Sequence, residues 1–133
     1  MIHDFGFGPV PAHQHPNGGG WVADTAYVSD TAYVGPNAQV FDNTWVCDSA
    51  KVFGNAKVSE STWVSGNARV SGHAQVSGDA WVYGNARVYG NAQVYGHAQV
   101  FGDAQVYDDA WVCGYAEVSD DAQVSDDAKV SDA

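Results

Sequence analysis

The residues of this 133-residue chain best suited to chemistry are few and evenly spaced. His13 and His15 form an H-x-H pair, and His73 and His97 stand well apart from them and from each other. Two cysteines, Cys47 and Cys113, lie in opposite halves of the chain. Paired acids occur at Asp108 and Asp109, Asp120 and Asp121, and Asp126 and Asp127. Trp45, Trp63 and Trp81 recur at one fixed interval, and Lys51, Arg69 and Arg87 recur at the same interval. An H-x-H pair is a fragment of a metal site and lacks further ligands nearby. Adjacent carboxylates would suit a hard cation such as Ca²⁺. A cationic series would suit an anion, and an indole series a contact surface.

These residues must be positioned by whatever the rest of the chain builds. The composition excludes an ordinary globular core: there is no Leu and one Ile, while Val, Ala, Gly, Ser and Asp dominate. The core is therefore expected to be thin and repetitive. The net charge of −11 disfavours nucleic acid and anionic lipid as partners. The N-terminal MIHDFGFGP has neither a basic n-region nor an apolar h-region, so no signal peptide is expected. No apolar run approaches membrane-spanning length. A cytoplasmic or virion-associated protein is the resulting expectation.

A hexad repeat organises the rest. Val recurs at every sixth position from Val22 to Val130, without insertion or deletion. The residue two places earlier is Ala throughout, except at Gly20, Thr44 and Thr62. After each Val comes a turn pair such as Gly-Asn, Gly-His, Gly-Asp or Asp-Asp. Ala-x-Val reads as a short strand with Ala and Val on one side, and the turn pair supplies backbone freedom. One such unit cannot bury anything alone; stacked copies can, each rung bonding to its neighbours.

This pattern, an aliphatic residue with a small one four places later (Val70 with Ala74, Val88 with Ala92), resembles the hexapeptide-repeat family of left-handed parallel β-helices. The resemblance covers residues 20–133, and the chain looks most like uncharacterised bacterial and phage members rich in GNARVYGNA. It implies an all-β, single-stranded left-handed β-solenoid with three hexads per coil and about six coils, roughly 30 Å long. Residues 1–19 fall outside the pattern and are expected to cap it, with Phe5, Phe7, Val10 and Pro11 folded over the first coil. Gly18, Gly19 and Gly20 would provide the entry turn.

With three hexads per coil, the position before each Val points outward and forms three columns. One is an aromatic ladder, Tyr27, Trp45, Trp63 and Trp81, with Tyr83 and Phe101 beside it. The next holds the candidate anion-binding ladder, Lys51, Arg69 and Arg87. The aromatic ladder reads either as stacking that stabilises an exposed sheet or as a surface for a second copy, a protein or a glycan. The basic ladder reads most simply as solvated long side chains. Asp108, Asp109, Asp126 and Asp127 fall together on one corner, where Ca²⁺ would relieve their repulsion; hydrated turn aspartates are the plainer reading. His73 and His97 fall on different corners, one coil plus one hexad apart, and read as variants of the turn Asn. Cys47 and Cys113 would lie roughly 17 Å apart along the axis, beyond disulfide reach.

The hexapeptide resemblance also admits a trimeric acyltransferase, which implies a catalytic His and usually an inserted loop; this repeat has no insertion. Acidic stripes admit a phage-encoded mimic or sequestering protein. The leading expectation is a non-catalytic solenoid without a cofactor, self-associating as a lateral trimer or end to end, the latter because the repeat is still running at Ala133.

Overall fold

The computed structural model describes residues 1–132. Every rung is a short strand centred on the x-Val pair, and no helix occurs among the described residues. Each strand pairs in parallel with the strand three hexads away: Trp63 lies against Trp45 and Trp81, and Arg69 against Lys51 and Arg87. Three sheets result, so the coil is a three-sided parallel β-solenoid of about six turns. The tryptophan face runs from the strand Tyr27–Val28 to Glu117–Val118, and the basic face from Tyr33–Val34 to Gln123–Val124. The third, the glutamine face, runs from Trp21–Ala23 to Lys129–Asp132. The C-terminal residue Ala133, on which the expectation of an open end rested, lies outside the described residues.

The core is as thin as the composition requires. One cluster of stacked Val and Ala fills the interior, and the valines from Val34 to Val112 are fully buried. Backbone bonds pin each rung to the next: the Trp63 N–H donates to the Ala80 carbonyl at 3.0 Å and the Ser65 N–H to Val82 at 2.9 Å. Corners are closed by a bond such as Ala68 N–H to Ser65 carbonyl at 3.3 Å. The two buried threonines keep this bond with a different atom. The hydroxyls of Thr44 and Thr62 donate to the Phe41 and Ser59 carbonyls at 2.9 and 2.8 Å.

The second residue after Val sits in the left-handed region of backbone space from Asp42 to Asp126, for example at φ 69° in Gly84. Gly is the default there, yet Asp42, Asp48, Glu60, Asp108, Asp120 and Asp126 adopt the same conformation. Four of these acids share a compensation. Asp42, Asp48, Glu60 and Asp108 each accept the N–H of the residue one coil on, at 3.1, 3.2, 2.5 and 3.3 Å. Corner acids thus satisfy a backbone donor of the neighbouring rung.

The N-terminal segment departs from the expected cap. Ile2–Asp4 (β1) and Pro9–Gln14 (β2) form an antiparallel hairpin, and β2 pairs antiparallel with Trp21–Ala23 (β3), adding two strands to the glutamine face. Phe5 packs on Phe41 at 5.0 Å and His3 stacks on Trp21 at 4.5 Å, both on the outer side. Phe7 stays 85% exposed, and Val10 is exposed too. A sheet edge is protected by pairing it, and the hairpin does this for the first strand of the glutamine face. His15 does fill the end of the interior: it is buried, with Nε2 on the Ala32 carbonyl at 2.8 Å. Gly18 and Gly20 are close approaches as well as a turn, because a Cβ at either would collide with the Val34 or Gly35 carbonyl.

Candidate interaction surface

The tryptophan face carries the most unusual group of exposed side chains. Register alone places Tyr27, Trp45, Trp63 and Trp81 in one column. The rings follow the strands: Trp45 and Trp63 are stacked at 5.2 Å and 4°, Trp63 and Trp81 at 5.5 Å and 18°. Tyr27 joins at 5.2 Å with a 46° tilt. Trp81 meets Tyr83 edge-on at 6.3 Å, and Tyr83 stacks on Phe101 at 4.9 Å. The aromatic residues singled out from sequence therefore form one contiguous series. The three indoles remain 39–45% exposed. Because each ring covers its neighbour, the ladder presents ring edges outward. Flat stacking of a sugar on an indole needs an open ring face, which the interior of the stack does not offer.

Around the corner, Lys51, Arg69 and Arg87 are all exposed and aligned on adjacent strands. They line a groove of about 790 Å³ with Tyr33 and the corner residues Ser49, Asn67 and Asn85. Asn67 donates to Asn85 at 3.3 Å, continuing the ladder along the corner. Among the described residues the ion pairs are His13 with Asp24 at 2.8 Å and His97 with Asp79 at 3.5 Å, so none of the three cations has a carboxylate partner.

The remaining candidates are dispersed. Among the described residues no three of His, Cys, Asp and Glu converge in a metal-holding group. Asp108, Asp109, Asp126 and Asp127 share a corner, but Asp108 Oδ2 accepts the Asp126 N–H and Asp109 Oδ1 accepts from Asn91 Nδ2, both at 3.3 Å. His13 and His15 diverge, one outward to Asp24 and the other into the barrel end. His97 stacks on Tyr115 at 4.9 Å in its corner column. Cys47 and Cys113 are free thiols on different faces. Burial, with the Asp48 carboxylate beside it, pushes the Cys47 thiol above the usual range. A hydrogen bond with Cys113, and burial, raise the Tyr95 phenol.

One recurring contact was missed from sequence. Tyr83, Tyr89 and Tyr107 each donate their hydroxyl to a Gln in the next coil, Gln99, Gln105 and Gln123, at 3.4, 3.1 and 3.3 Å. The signal was present: a Tyr after Val followed by a Gln before Val in the next coil.

A repeat model described as the YdcK beta solenoid repeat matches the chain at residues 64–78, 74–90, 80–96, 92–107 and 98–114. These overlapping matches run from residue 64 to residue 114 and take in Arg69, Trp81 and Arg87. Together with the three stacked sheets they define the chain as a β-solenoid repeat protein. No curated protein and no solved structure matches it.

Proposed function

We propose that this chain is a non-catalytic solenoid that associates with further copies of itself through the tryptophan face. The observation that carries the reading is the row of three stacked, half-exposed indoles on a flat sheet. Apolar area repeated on one face is removed from water most simply by a second flat face. An uninterrupted repeat, with no insertion from which a catalytic loop could rise, supports the non-catalytic part. The left hand of the coil and the place among hexapeptide-repeat proteins are carried by the A-x-V pattern and are part of the same proposal.

The test is molar mass in solution by light scattering, for the wild type and for Trp45→Ser/Trp63→Ser/Trp81→Ser. The reading expects an oligomer for the first and a folded monomer for the second. Equal masses would overturn it, as would acyl transfer from a thioester donor that is lost on replacing His73 or His97.

A further inference from the structure

In the second to fourth coils the two edges of the tryptophan face carry opposite charge; in the other coils the trailing corner, after each strand, holds Asp30, Asp103, Asp120 and Asp121. The strands of this face are parallel and in register, so the corner before each strand builds one edge and the corner after it builds the other. The leading edge holds Asp24, Asp42, Glu60 and Asp79, one acid in each of the first four coils. The trailing edge turns into the basic face, where Lys51, Arg69 and Arg87 occupy the second, third and fourth coils. Within those three coils each edge has one exception. Asp48 stands on the trailing corner with Oδ2 on the Gly66 N–H, and Lys57 stands behind the leading corner on the glutamine face. In a chain of net charge −11, three aligned cations without a carboxylate partner among the described residues are an unmet demand.

We propose that the tryptophan face docks on the same face of a second copy, with the two solenoids parallel about a two-fold axis running along them. The proposal rests on the self-association reading above and adds the direction of the partner and the groups that set it. A half-turn about such an axis exchanges left and right and leaves height unchanged. The leading edge of each copy then meets the trailing edge of the other, coil by coil. Asp42 faces Lys51 of the second copy, Glu60 faces Arg69, and Asp79 faces Arg87, and the two-fold repeats all three. Both columns are spaced by the same coil, so a match at one height is a match at the next. The ladder supplies the apolar centre and the charged columns the rim of a self-complementary interface. A half-turn about an axis across the solenoid keeps left and right, and sets acid against acid and base against base. Like charges facing one another disfavour that arrangement.

The test uses two full-length variants, Lys51→Glu/Arg69→Glu/Arg87→Glu and Asp42→Lys/Glu60→Lys/Asp79→Lys, with mass and dissociation constant read by sedimentation at low salt. Far-UV circular dichroism and thermal melts establish that each is folded. Each variant alone is expected to associate at least about tenfold more weakly than the wild type, as opposed rim charges become alike. An equimolar mixture is expected to recover association, because one variant then has two acidic edges and the other two basic ones. Wild-type association by either variant alone, or a mixture no tighter than its components, overturns the parallel arrangement. The Trp→Ser triple variant separates the two claims: if it is monomeric while the charge variants associate normally, the ladder is the surface and the edges do not direct it. If all three variants match the wild type, both readings fall.

Discussion

Replacing Val76 by Ala tests whether the core works as a stack of pinned rungs. Val76 is fully buried in a central coil. Loss of two methyl groups at about 0.8 kcal/mol each removes roughly 1.6 kcal/mol of transfer free energy. The rungs on either side cannot close on the gap. The Ser59 N–H is bonded to the Val76 carbonyl at 3.0 Å and the Ser77 N–H to Val94 at 2.9 Å, which holds the coils at fixed spacing. The cavity therefore persists and adds about 1 kcal/mol, for a total of about 2.5 kcal/mol. Val124, near the end of the described coils and 8% exposed, has less to lose and can relax; about half that cost is expected there. Urea unfolding followed by far-UV circular dichroism gives both values, with an unchanged slope confirming that stability moved and not the extent of unfolding. A loss below about 1 kcal/mol at Val76, or equal losses at the two sites, would refute the pinned-rung reasoning.

Further expectations follow from corners and thiols. Gly84→Asp should be the mildest replacement there: its Cβ would lie 2.9 Å from the Gly102 nitrogen, but its carboxylate can accept the Gly102 N–H as Asp108 accepts that of Asp126. Gly84→Val, at φ 69°, should cost about 1–3 kcal/mol more; paired urea melts read the difference. Thr44→Val should cost about 1–2 kcal/mol by leaving the Phe41 carbonyl without its hydroxyl donor. Thr44→Ala should cost less, because Ala is the residue that fits this corner at the neighbouring rungs, where its N–H closes the turn as at Ala68, and it places no branched side chain there; the same melts rank the two. In a Cys113→Ser background, the pH profile of Cys47 alkylation should be displaced above the ordinary thiol range, and Asp48→Asn should move it back in part. The raised value means the folded state holds the thiol proton more tightly. Its contribution to stability is full below the ordinary thiol range and is lost as pH rises through the folded value.

The interior and the columns were legible because each hexad repeats one short-range rule. Val at every sixth position, with Ala two places before it, specifies an inward pair regardless of context. Once three hexads make a coil, Trp45, Trp63 and Trp81 must fall in one column on adjacent rungs, and they do. What was not legible depends on partners outside one hexad. The hairpin of residues 2–14 carries no hexad signal, and its position is set by pairing with Trp21–Ala23 and by the Phe5–Phe41 contact. The bonds of the corner acids were not legible because the N–H they accept belongs to the next coil. Stacking of the indoles on each other, which leaves ring edges and not ring faces to a partner, depends on χ angles that spacing does not report.

Small-angle scattering from the wild type tests the central claim most directly, because it reads shape together with mass. One solenoid of about six coils is roughly 30 Å long. Association through the tryptophan face predicts a particle of at least twice the monomer mass whose cross-section has grown while its long dimension stays near that of one solenoid. A monomer at all concentrations, or a particle that lengthens in steps of one solenoid at constant cross-section, would contradict it.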